Sequence, residues 1–188
     1  MTFNQIAAKF AHASNKRSVM KNQRGVTLME LIAGLAVMAV VVVGAVALYG
    51  SATSSEKSTT MQRDLGALQA AARQIFNGQG TYGTAGTNIG SPLVTANKIP
   101  STLAVSGSGA TTKFVHRDNG DITIASTGNS FSITVTAVSA DLCVPLMTNA
   151  AGWTSVKAGS AAARTSFPIS PTNAETDCKT GTTMVFTN

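Results

Sequence analysis

The sequence predicts an α+β fold in which one long N-terminal helix packs its second half on a C-terminal antiparallel sheet. Three observations predict it. Val26 to Tyr49, VTLMELIAGLAVMAVVVVGAVALY, holds 24 residues with one charge, Glu30, and no proline. Beyond it Met61, Leu65, Leu68, Ala72, Ile75 and Phe76 recur at spacings of three and four, the stripe of a helix with one buried face. In the last third, strand patterns follow one another, and in SFSITVTAV residues Phe131, Ile133 and Val135 share one face.

The elements follow in order. No proline interrupts Val26 to Asn77, which predicts one continuous helix of 52 residues, about 78 Å long at about 1.5 Å per residue. Gly78 and Gly80 stop it. Its first half, apolar all round, needs a bilayer or other helices; its second needs a sheet. Residues 78–111, rich in Gly, Thr, Ser and Asn with Pro92 and Pro100, read as a long surface loop. KFVHR and DITIAS flank Asn119–Gly120 and predict a hairpin. ADLCVPLMTNAAG predicts a short helix capped by Asp141, with Pro145 in its first turn and Gly152 at its end. TTMVFTN closes the chain as a strand.

The formal charge of +6 is a property of one end. Residues 1–25 carry Lys9, Lys16, Arg17, Lys21 and Arg24 without an acid, whereas the other nine Lys and Arg face all eight acids. The body at +1 therefore lacks a nucleic-acid footprint, and no nucleic-acid partner is expected. About 20 apolar residues span a bilayer as a helix. Lys and Arg beside a span mark its cytoplasmic side, so the chain beyond Gly50 lies outside the cytoplasm. Two cysteines, Cys143 and Cys178, fit either one disulfide or two reduced thiols. That topology favours the disulfide, whose closed loop is worth about 3–4 kcal/mol in the chain-entropy model.

Glu30 resists both simple membrane readings. A cleavable secretory signal has a shorter apolar core, and a plain anchor has no use for a carboxylate that costs about 3 kcal/mol at bilayer depth. An Arg24–Gly25 dipeptide, apolar Val26, and an acid five residues after the glycine open the apolar span. This arrangement resembles the class III signal of type IV prepilins. The resemblance is strong from Gly25 to Tyr49, continues through LGALQAAARQIFNGQGTYG, and extends to the paired cysteines. The 25-residue leader, and Val26 where type IVa pilins usually carry phenylalanine, point to the type IVb branch. Within it the chain is most similar to pilins of toxin-coregulated-type pili and of conjugative thin pili.

The resemblance implies the rest. A membrane prepilin peptidase cuts between Gly25 and Val26 on the cytoplasmic face and methylates the new Val26 amine. Gly25 lets the protease cleft approach the bond closely. Glu30 of one subunit then neutralises the Val26 amine of the next during assembly, which removes two buried charges together. The parts implied are a cleaved leader (1–25), a filament-core helix (26–50) and a head (51–188). The head contains the amphipathic helix (51–77), an αβ-loop (78–111) and the sheet (112–188), with a surface region bounded by Cys143 and Cys178. Local helix melting in filaments is known for the family, and Gly44 is the candidate point.

Catalytic signals are sparse. His116 and His12 are far apart, no Cys, His or carboxylate cluster has metal spacing, and no nucleophile motif occurs. His116 reads as a surface turn residue and Trp153 as core. The expected protein is the major structural subunit of a type IVb pilus, without catalysis, cofactor or metal. Its precursor sits in the inner membrane with the peptidase and assembly machinery. The mature chain forms an extracellular helical homopolymer for adhesion, aggregation or mating. The alternatives are a minor pilin or type II secretion pseudopilin and, from another class, an anchored periplasmic enzyme.

Overall fold

The computed structural model describes residues 27–188 and comprises two units, 27–44 and Ala45–Asn188. Helix α1, Leu28–Ile75, makes up nearly all of the first and opens the second. It stops two residues short of the Asn77 expected as its end. Val26 lies outside the described residues, and at the far end Phe76 donates to Ala72 O (3.2 Å) before Gly78 turns the chain at φ +81°.

In the first unit the helix is apolar all round. Leu28, Leu35 and Val40 expose 77%, 63% and 74% of their surface. The best 18-residue window of α1 has a mean hydropathy of 2.8, and none of it is buried. Val40 to Val43 are β-branched, which lowers helix propensity in water. In hydrocarbon the balance changes, because a helix satisfies every backbone group within itself.

The second unit is built on a six-stranded antiparallel sheet ordered β1-β2-β3-β4-β6-β5. The strands are β1 (Ala104–Ser106), β2 (Lys113–Val115), β3 (Asp121–Ser126), β4 (Phe131–Val135), β5 (Ser155–Ala158) and β6 (Met184–Thr187). The final strand inserts between β4 and β5, with Ile133 opposite Phe186 and Val156 opposite Phe186 on its other edge. Alternation holds in β3 and β4: Ile122 and Ile124, then Phe131, Ile133 and Val135, are buried while their neighbours are not. These side chains share one core with Met61, Leu65, Leu68, Ala71 and Ala72 of α1. Burying a leucine there contributes about 1.5–3 kcal/mol.

The expected hairpin is present, with Asn119 in the left-handed region at φ +58° and Phe114 paired with Ile122. Residues 78–111 are a correction. They contain helix α2 (Gly90–Thr95), strand β1 and a 3-10 turn at Gly109–Thr111. They also bury Ile89, Leu93 and Leu103. The physical reason is a vacancy on β3. Its pairing with β2 covers only Asp121 and Ile122, and residues 86–89 take the free edge through Ile89 N–H to Ile124 O (2.9 Å) and Ser126 N–H to Thr87 O (2.8 Å).

Helix α3 spans Ala140–Thr148, but its N-cap is Ser139, not Asp141, and its C-cap is Asn149, well before Gly152. Pro145 lies inside α3, beyond the first turn where it was expected. Its missing N–H leaves the carbonyl of Asp141 without the usual partner. Strand β5 and helix α4 (Pro171–Cys178) were not anticipated. The start of α4 is nevertheless written in the sequence, since Ser170 Oγ accepts from Asn173 N–H (3.4 Å) and Pro171 follows it. Cys143 of α3 and Cys178 of α4 are disulfide-bonded, and both are buried.

Two substitutions test this account. At Gly120 an added Cβ would collide with His116 Nε2 and Thr136 O. Gly120→Ala should therefore lower stability by about 1–3 kcal/mol, measured by thermal unfolding. Cys143→Ser should cost about 3–4 kcal/mol by the same measurement. In the unaltered protein, alkylation without reductant should leave both cysteines unlabelled.

Candidate functional site

The single acid of the apolar helix sits in its first turn. Thr27 precedes the helix, its Oγ1 accepts from the Glu30 backbone N–H (3.2 Å), and its carbonyl accepts from Leu31 N–H (3.1 Å). Thr27 is thus the N-cap, and T-L-M-E has the spacing of a capping box, a start signal that the sequence itself carries. An acid here also meets the positive end of the helix dipole, which is worth about 0.3–1 kcal/mol. The Glu30 side chain is exposed among the described residues. Gly25 and Val26, where cleavage and methylation are expected, lie outside the described residues.

The helix is unbroken through Gly44. A Cβ at Gly34, Gly44 or Gly50 would meet nothing within 4 Å. No contact among the described residues therefore requires these glycines, and small residues of this kind allow helices of other chains to approach closely.

The structure moves one of two predicted residues. His116 is not a surface residue but is 3% exposed. Its Nδ1 accepts from Asp118 N–H (3.4 Å), so Nε2 carries the proton and donates to Thr136 O (2.9 Å). That bond ties the β2–β3 turn to the end of β4. Trp153 is half-buried and its ring lies 5.3 Å from Phe186, in keeping with a core role.

Other polar groups were missed. Asp64 lies 5% exposed on the core side of α1, where its carboxylate accepts from Thr102 Oγ1 (2.6 Å). A cavity of about 300 Å³ borders it, walled by the pairs Lys57–Asp118 (2.5 Å) and Glu56–Arg117 (3.0 Å). Asp177 is almost fully buried and receives two bonds from Arg164, 2.7 and 3.0 Å, which tie α4 to the segment paired with β5. At the start of α3, hydrogen bonds from Ser139 and then Ser54 hold the Asp141 carboxyl below the usual aspartate range. No group of three or more His, Cys, Asp or Glu among the described residues could hold a metal ion.

Comparison with known proteins accounts for both units. The family described as PilS N terminal matches residues 55–188, and the prokaryotic N-terminal methylation motif matches residues 20–46. The chain is 30% identical over 149 residues to the toxin coregulated pilin of Vibrio cholerae, an alignment covering 75% of this chain and 65% of that protein. It thus spans just under two thirds of that relative's length. The crystal structure of a type IVb pilin from Salmonella typhi superposes with a TM-score of 0.51 at 24% identity, covering 66% of this chain and 96% of that one. This last likeness concerns the fold alone. A match over most of the head, together with a methylation motif over the start of the apolar helix, makes this chain a member of the type IVb pilin family.

Proposed function

We propose that the chain is the precursor of the major structural subunit of a type IVb pilus. It is cut between Gly25 and Val26 by a prepilin peptidase, methylated on the Val26 amine, and polymerised into an extracellular filament. The role is structural and non-catalytic. The precursor is held in the inner membrane by residues 26–50, and the head from 51 to 188 follows the span on the far side. Filaments of this kind serve adhesion, aggregation or conjugative mating.

One observation carries the proposal. The apolar half of α1 is exposed along its length and bears one charge, at a capped helix start that the methylation motif covers. A secretory signal would be removed with its apolar core. Here the cut precedes the core, so the greasy helix stays in the mature protein and needs a second apolar environment once it leaves the bilayer. Other copies of the same helix supply it. Glu30 then has a partner. An amine on Val26 of the neighbouring subunit neutralises it, and a pair desolvated together is tolerable where either charge alone is not.

Intact mass and N-terminal peptide analysis of sheared filaments should show a chain beginning at methylated Val26 as the bulk protein. A chain starting at Met1, or near Ser51, would overturn the processing step, and a trace amount of this chain in the filaments would overturn the major-subunit role.

Glu30→Ala should still insert and be cleaved, because the membrane accepts an apolar helix more readily and the peptidase acts at Gly25. Filament growth should fail, since an unpaired amine buried in the core costs several kcal/mol per subunit. Blots of membrane and sheared fractions should show a cleaved, membrane-held pool without surface pili. Abundant pili of ordinary length would refute the pairing.

A further inference from the structure

Most charges of the second unit are matched within the chain. Five ion pairs join Lys57–Asp118, Lys113–Asp121, Arg117–Glu56, Arg164–Asp177 and Lys179–Glu175. Among the described residues, Arg63, Lys98 and Lys157 of the cations in this unit, and Asp64 and Asp141 of the acids, make no such pair. Arg73 bonds to the Asn188 side chain instead.

Four of the unmatched charges are segregated. Arg63 and Lys98, both exposed, line a cleft of about 390 Å³ between α1 and residues 98–102. Asp64 borders it too, but it is almost wholly buried and engaged by Thr102, so the charge presented outward is positive. A second cleft, of about 370 Å³, lies between α1 and α3. Its wall holds Asp141, Ser54, Ser58 and Gln62 and no cation, and the exposed Asp141 has the Ser54 hydroxyl as its partner (3.0 Å). The clefts are on opposite flanks of α1. Ser58 of one and Ala67 of the other are nine residues apart, about 180° around the axis at about 100° per residue.

We infer that these clefts are the two halves of one contact between neighbouring copies of the chain, with Arg63 and Lys98 of one subunit facing Asp141 of the next. This rests on the filament reading proposed above. Complementary charges on opposite flanks make a heterologous contact, in which each copy offers one half to each neighbour and the series need not close. Anchored helices all point the same way, so neighbours lie parallel. The α1 segments lining the clefts, 54–62 and 63–67, are centred about seven residues apart. Mating them staggers adjacent subunits by about 10 Å along the axis. Solvent-exposed pairs add little affinity, and their effect is to fix register and exclude wrong alignments.

The test uses the full chain in cells that assemble it. Both cysteines are engaged in the disulfide, leaving no free thiol among the described residues. Lys98→Cys combined with Asp141→Cys, oxidised in intact filaments, should give a ladder of dimers, trimers and higher species on non-reducing gels. Neither single variant, nor the detergent-dispersed monomer, should give it. Reversing one side, by Arg63→Glu with Lys98→Glu or by Asp141→Lys, should cut sheared pili at least about tenfold through like-charge opposition. Combining the reversals should restore them. Thermal unfolding and alkylation of the membrane pool should show the reversed chains folded with their disulfide intact. Filaments of the double-cysteine variant that give no ladder would overturn the inference, as would normal piliation by a one-sided reversal or losses that the combined variant does not repair. Absence of filaments from the wild type would overturn the filament reading itself.

Discussion

α1 must satisfy two environments with one unbroken ladder of hydrogen bonds, and the seat of Leu65, Leu68 and Ala72 on the sheet fixes the second of them. Those side chains are at most 2% exposed and share a core with Ile124, Ile133 and Phe186. The inward face of every central strand is defined by that contact. Because strand side chains alternate with a period of two, a slip of one residue would send Phe131, Ile133 and Val135 to the other face. The helix therefore sets the register of the sheet as much as the sheet buries the helix. It also carries the apolar first unit on the same backbone, so the hydrophobic segment and the head cannot be specified separately.

The charges divide by what surrounds them. Exposed pairs such as Lys179–Glu175 and Arg117–Glu56 are screened by water and contribute little. Arg164–Asp177 differs, because the Asp177 side chain is 6% exposed and receives a two-pronged guanidinium. Removing Arg164 would leave an acid buried without a cation, which is far more costly than losing a surface pair. That pair and the disulfide hold α4 from two sides, to the segment beside β5 and to α3. A region poor in long apolar side chains thereby keeps one conformation. Glu30 belongs to a third class. Within its own chain it serves as the acid of a capped helix start, and the remaining cost of placing it in an apolar segment has to be met from outside.

Much of this was legible in the residues. Periodicity of three and four marked the buried stripe of α1, and alternation marked β3 and β4. Asn119–Gly120 marked the hairpin, and the acid after Gly25 pointed to the family. Each of these signals is local: the side chains that carry the pattern are also the ones that make the contact. The cysteine pair was legible in a different way, through the topology expected from the basic leader and the apolar span, which favours an oxidised pair.

Tertiary structure decided the remainder, for reasons of length and partnership. Helix α2 has six residues, too few for a 3.6-residue period to repeat, and its helical state depends on Leu93 finding the core. Strand β5, Ser155–Ala158, has only Val156 and Ala158 to bury, and it becomes a strand because β6 and the segment at Arg164 bond to its two edges. His116 and Asp64 are polar residues whose partners, Thr136 and Thr102, lie 20 and 38 residues away. A sequence shows which side chains are able to hydrogen-bond, but a buried polar group is stable only where the fold delivers its partner. The sequence by itself determined the long two-natured helix, the hairpin and the family. The burial of its polar groups, the ordering of residues 78–111 and the opposed charges on the two flanks of α1 were decided by packing.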